Sequence, residues 1–162
     1  MKKRGSGKKS SSKEEKPWVQ PPPRPYGPVG EGMGGWLVKE PAATYVRLTR
    51  EGFDRRHLEE LRTISDLDLD TLARLLGINV RTIMRKSDLE PFRPETTERM
   101  LELLRMYEIG EDTFGNLPAF RSWLASPIPA FGNETPLSYL DTGFGIRMVV
   151  SELERINHGI FS

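Results

Sequence analysis

The sequence predicts an all-α fold, on three observations. From Phe53 onward apolar residues recur at i, i+3, i+4 and i+7, the spacing that collects them on one face of a helix. Helix-start signals, a capping side chain or a proline poised for the first turn, stand ahead of those runs at Asp54, Asn79, Pro94, Asn116 and Thr135-Pro136. No segment sustains the period-2 alternation of a half-buried strand between turn signals.

Taken in order, Asp54 caps a helix carrying Leu58, Leu61 and Ile64. Leu69, Leu72, Ala73 and Leu76 form the stripe of the next, which Gly77 ends. Asn79 caps a short helix whose inward face is expected to hold Val80, Ile83 and Met84. A helix from Pro94 to Tyr107 carries Met100, Leu103 and Leu104. Asn116 and Pro118 open another with Phe120, Trp123 and Leu124, of which Trp123 is expected to fill the core. After the Pro/Gly-rich loop Ser126 to Asn133, Thr135-Pro136 makes a cap and first-turn pair. The last helix starts near Asp141 or Thr142, buries Ile146, Val149, Val150 and Leu153, and stops near His158-Gly159.

The N-terminal part differs in kind. Residues 1–35 hold seven of the 15 glycines and six of the 13 prolines, a composition with too little apolar surface to offset the entropy of ordering it. A disordered basic arm over residues 1–40 is expected, extended through Pro21–Pro25, with Trp36, Leu37, Val38, Tyr45 and Val46 docking it on the folded part. Residues 1–40 carry nine basic and four acidic groups, so the chain's net +1 divides into +5 here and −4 beyond. Zero cysteines exclude a disulfide scaffold, a thiolate nucleophile, a zinc finger and an iron–sulfur site. Two histidines, His57 and His158, exclude an imidazole-rich metal site. With no apolar run approaching a membrane span and no secretory h-region, a cytoplasmic location without membrane contact is expected.

Leu69 to Lys86, LDTLARLLGINVRTIMRK, satisfies the needs of a helix-turn-helix. Ala73 lets the second helix cross closely, Gly77 takes the positive φ of the turn, and Ile78 and Ile83 pin the second helix. Its outward face then holds Asn79, Arg81, Thr82, Arg85 and Lys86, side chains suited to base edges and phosphates. An ordinary helical hairpin with a basic solvent face fits the same residues.

The stretch that follows separates the two readings. RTIMRK (81–86), the helix from Pro94, FGN (114–116), AFRSWL (119–124), SPIPAFGNETPLSYLDTGFG (126–145) and LERINHG (153–159) resemble the Xre/MbcA/ParS antitoxins, in one order over roughly residues 50–162. The resemblance implies an Xre-like helix-turn-helix followed by a small helical toxin-binding domain, with the division set at 41–108 and 109–162. It implies as partners operator DNA and a RES-domain toxin, an enzyme that consumes or transfers from NAD, in a homodimer or a toxin–antitoxin hetero-oligomer. Trp123, Leu124, Pro136, Leu140 and Gly145 match its signature positions. Two features depart from it. Lys86 stands where relatives of the motif keep an apolar residue, leaving Leu89 as the nearest substitute anchor, and the basic arm lies outside the pattern.

His158-Gly159 ends the last helix and leaves Ile160 and Phe161 to project as a plug for a partner's cleft. Arg155, Asn157, His158, Ile160 and Phe161 are therefore the candidate toxin-facing residues; Phe161 folding back onto the Trp123 cluster is the rival.

Other motifs read as coincidence. Asp141-Thr142-Gly143 spells the aspartic-protease triplet but leads straight into a helical pattern, so it reads as a cap. Gly30, Gly32 and Gly35 satisfy G-x-G-x-x-G without a strand before or a helix after. Asp66, Asp68 and Asp70 mimic an EF-hand start, but Thr71 and Gly77 stand where that loop needs glycine and glutamate. His57 is expected to be solvated or half-buried. No set offers a nucleophile, base and orienting group together, so a binding protein without enzyme activity, cofactor or metal is expected. A stand-alone regulator whose C-terminal domain dimerises is the alternative, and an adaptor that has lost DNA is a third reading.

Overall fold

The structure is a computed structural model, and it describes residues 41–159. These residues form seven α-helices: α1 Ala42–Glu51, α2 Arg55–Ser65, α3 Leu69–Leu76, α4 Val80–Arg85, α5 Pro94–Phe114, α6 Leu117–Leu124 and α7 Gly143–Asn157. Two 3-10 turns, Pro129–Phe131 and Pro136–Tyr139, lie between α6 and α7. Among the described residues the only β-pairing is one isolated bridge, Ile128 with Glu134, so the all-α class holds. The arm, with Trp36 to Val38 and the Gly30–Gly35 motif, lies outside the described residues.

The capping chemistry explains where the helices begin. The Asp54 carboxylate accepts from the Arg56 N–H at 3.0 Å, and His57 reaches back to the Asp54 backbone N–H at 3.1 Å, a reciprocal cap that removes two orphan donors. His57 is half-buried and stacks on Phe53, with ring centroids 4.3 Å apart. Asp68 receives the Thr71 N–H at 2.8 Å, Asn79 that of Arg81 at 2.8 Å, and Asn116 that of Ala119 at 2.8 Å. The acids that mimic an EF-hand are thus a loop and a helix start.

Helix α5 is the axis of the molecule. Twenty-one residues long, it buries Met100, Leu103, Leu104, Met106 and Tyr107 and packs against α1, α2, α6 and α7. The expected helix end at Tyr107 is corrected to Phe114, and the division at 108/109 falls inside this one helix. The pattern breaks at Glu108 and Gly110, yet both are buried: Gly110 gives room to the Phe120 ring, which a Cβ there would overlap.

Four further expectations are corrected. Helix α1 is not among the predicted elements, because of its ten residues Leu48 alone is fully buried; Tyr45, expected in the docking cluster of the arm, is half-buried and Val46 exposed. Only Ile83 of the expected inward face of α4 is buried; Val80 is half-buried and Met84 is 65% exposed, since six residues turn too few times to build a stripe. Trp123 is half-buried, packing its ring on Phe114 and Phe120, while Phe120 fills the core. Thr135 makes no side-chain cap, and Pro136 opens a 3-10 turn rather than an α-helix. That turn positions α7: Gly145 lies so close to the Tyr139 carbonyl that no Cβ fits between them. Of the expected buried face of α7, Ile146, Val149 and Leu153 are buried and Val150 is half-buried.

Candidate nucleic-acid and partner-protein interfaces

Helices α3 and α4 form the helix-turn-helix. Ala73 is buried at their crossing, and Gly77 takes φ +66° so that its own N–H reaches the Arg74 carbonyl while the Ile78 N–H reaches Ala73, at 3.1 and 3.0 Å. With an ordinary side chain at residue 77 that turn would be strained. The second helix emerges with Asn79, Arg81, Thr82 and Arg85 exposed. Arg81 and Arg85 enter no ion pair among the described residues, so both guanidinium groups are available to an outside anion. The Asn79 carbonyl oxygen is spent on the cap, leaving its amide donors outward.

Lys86 differs from the other four predicted residues. Its Nζ lies 2.8 Å from Glu90 Oε1, donates to the Pro91 carbonyl at 2.7 Å and sits 5.2 Å over the Phe92 ring centroid. The Lys86 ammonium holds the Glu90 carboxyl below its usual range through a hydrogen bond and its charge. Leu89, the expected apolar anchor after α4, is 62% exposed; Phe92 takes that role, 4% exposed, with its N–H on the Phe53 carbonyl at 2.6 Å. An open concavity of about 660 Å³ lies beside α4, lined among others by Asn79, Thr82, Arg85 and Arg93. Arg93 was not among the sequence candidates because it stands ahead of the Pro94 start signal, on a different element from α4.

At the other end of the molecule, α7 carries the second candidate set. Thr142 caps it by receiving the Gly145 N–H at 2.9 Å, which accounts for the Asp-Thr-Gly triplet. Arg155 is paired with Glu152 at 3.0 Å. Asn157 donates to Thr113 Oγ1 of α5 at 2.9 Å, and His158 Nδ1 donates to the Glu154 carbonyl at 2.6 Å. The three residues thus converge on one end of α7, each with a partner inside the chain; Ile160 and Phe161 lie outside the described residues. Gly159, at φ +68°, ends the helix as the sequence indicates.

Between α1, α5 and α7 runs a groove of about 340 Å³, lined among others by Leu101 and Glu102. Burial raises the Glu102 carboxyl, with the charge of Glu98 adding to it, and Arg99 and Arg147 work against the shift. Among the described residues no three metal-ligating side chains cluster, and no helix is long and apolar enough to cross a membrane.

Comparison with known proteins assigns both halves. Residues 45–105 match the model of the antitoxin Xre-like helix-turn-helix domain. Residues 110–159 match that of the antitoxin Xre/MbcA/ParS C-terminal toxin-binding domain. The two meet within α5. Among curated proteins the chain is similar to an antitoxin Xre of Yersinia enterocolitica, 27% identical over 68% of this chain and 76% of that one. It is similar to an antitoxin Xre of Photorhabdus laumondii at 28% identity, over 71% of this chain and 79% of the relative. A protein of a Sphingobium species named Prs ADP-ribosylating antitoxin is 27% identical over 72% of this chain and 80% of its own length. With the helix-turn-helix, the capped α7 and both domain models falling in one order along the described chain, the protein belongs to the Xre/MbcA/ParS family of toxin–antitoxin antitoxins.

Proposed function

We propose that the chain neutralises a RES-domain toxin, an NAD-consuming or ADP-ribosylating enzyme, by covering its active site with the C-terminal end of α7 and the residues after it. The observation that carries this reading is the match of residues 110–159 to a toxin-binding domain whose last helix ends at Arg155, Asn157 and His158. The relative named for Prs ADP-ribosylation supports the chemistry, since ADP-ribosyl transfer draws on NAD as such a toxin does. In this reading the protein's work is binding, inside the cytoplasm, and it performs no catalysis itself.

The same chain represses its own operon through α4. Arg81 and Arg85 supply phosphate and guanine contacts, Asn79 an adenine contact and Thr82 a thymine methyl contact. A dimer, or a complex with toxin, sets the spacing of two half-sites. The +5 arm adds a sequence-independent attraction that falls with rising salt, so removing residues 1–35 weakens operator affinity mainly at low salt and leaves toxin binding unchanged.

The test is co-expression of the chain with the products of neighbouring reading frames, scoring growth and co-purification. The reading expects a small RES-like protein that is toxic alone and silent in the pair. It expects that deleting residues 158–162 restores toxicity. Undiminished neutralisation by the shortened chain rules out the α7 end as the covering surface.

A further inference from the structure

Resting on the DNA-binding reading of α4, we propose that Lys86 is a positioning residue and not a phosphate contact: clasped by Glu90, the Pro91 carbonyl and the Phe92 ring, it braces the recognition helix against the core.

The need for a brace follows from the length of α4. Six residues hold together poorly on their own, and this helix buries one side chain, Ile83. Its N-terminus is secured by the Asn79 cap. Its C-terminus ends at Lys86, whose own N–H reaches the Ile83 carbonyl at 3.3 Å. From there the side chain reaches to a loop that is itself anchored twice. The Phe92 N–H donates to Phe53, and Pro91 lies against Gly52, so close that a side-chain carbon at residue 52 would come within 2.8 Å of it. The chain of contacts therefore runs from the end of the recognition helix to the junction of α1 and α2.

The geometry also removes Lys86 from the DNA-facing set. An ammonium has three donor directions; Glu90 and Pro91 take two, and the Phe92 face lies near the cation as well. Only 14% of the Lys86 side chain is exposed, against 55% for Glu90. Swinging out to a DNA phosphate would give up these contacts, and the one donor direction left over sits on a side chain that is mostly covered. As a closed pair with Glu90, Lys86 brings no net charge to the DNA, whereas Arg81 and Arg85 bring one each.

The discriminating variant replaces a neutral pair with a neutral pair, Lys86→Met with Glu90→Gln, so that net charge is unchanged. Operator affinity of the full chain is measured across a salt series beside Arg81→Ala and Arg85→Ala, and amide exchange of residues 86–92 is followed in the free protein. Each arginine variant is expected to lower the slope of log affinity against log salt by about one. The paired variant is expected to keep the parental slope, lose affinity by about three- to tenfold at every salt concentration, and exchange faster at residues 86–92. A slope reduced by about one with parental exchange rates would overturn the inference, because a phosphate contact would have been lost and no brace. If the parent chain does not bind operator DNA, the DNA-binding reading fails by itself. Faster exchange in the paired variant would then still support the brace, and unchanged exchange would still sink it.

Discussion

Arg121 of α6 donates from Nε and Nη2 to the Ile64 carbonyl, at 2.9 and 2.6 Å, and from Nη2 to the Thr63 carbonyl at 3.1 Å. One guanidinium of the toxin-binding region thus satisfies the open carbonyls at the C-terminal end of α2, in the helix-turn-helix region, where the helix dipole favours a cation. Asp66, beyond the helix end, lies 3.8 Å from the same group. The two regions share this tie as well as the continuous α5.

Arg121→Ala is expected to cost about 1–3 kcal/mol, because it leaves the half-buried Ile64 carbonyl without its charged donor. Denaturant unfolding followed separately by near- and far-ultraviolet dichroism checks this. The two signals should stay coincident in the parent chain and separate in the variant if the tie couples the regions.

Gly110→Ala tests the α5–α6 contact. A methyl group there overlaps the fully buried Phe120 ring, so about 1–3 kcal/mol of stability should be lost despite alanine's better helix propensity. A gain in thermal midpoint would show that the helices are not packed this closely.

Asp54 makes a pH-dependent contribution. Burial alone would raise its carboxyl, but the hydrogen bond and charge of the Arg56 guanidinium, together with the neighbouring His57 ring, outweigh it and hold the group below its ordinary value. A folded pKa below the unfolded one gives stability that is present above the unfolded pKa and is lost as pH falls through the folded one. Asp54→Ala should therefore cost about 1–2 kcal/mol at neutral pH. The difference from the parent chain should shrink once the pH falls below the usual carboxylate range. Denaturation midpoints at neutral and strongly acid pH measure it.

The Asp-Thr-Gly triplet divides by role. Thr142→Ala removes the α7 cap and should cost about 1 kcal/mol. Asp141 is exposed and lends only its backbone carbonyl to Arg99, so Asp141→Ala should change stability by less than about 0.5 kcal/mol. Equal losses in thermal scans would mean that Asp141 has a role the fold does not account for.

Which features were legible in the sequence follows from how local their causes are. Asp54, Asn79 and Asn116 each cap through contacts within three residues, and Gly77 answers a turn defined by its neighbours, so their roles could be read directly. The same holds for the helix-turn-helix and the basic face of α4. Helix α1 escaped because its burial is set by α5, far along the chain, and Leu48 alone records it. The end of α5 escaped because Glu108 and Gly110 look like breakers until Phe120 is placed beside them. The clasp around Lys86 was not legible, because its charge is visible in sequence whereas the turn that brings Glu90, Pro91 and Phe92 around it is not. The engagement of Asn157 by Thr113 is likewise a contact across 44 positions.

If two separable binding surfaces sit on one helical body, operator affinity and toxin neutralisation, measured side by side for the chain carrying Arg81→Ala and Arg85→Ala, part company. Operator binding is expected to be lost while neutralisation and thermal stability keep their parental values. Loss of both activities in a variant that still folds would contradict it.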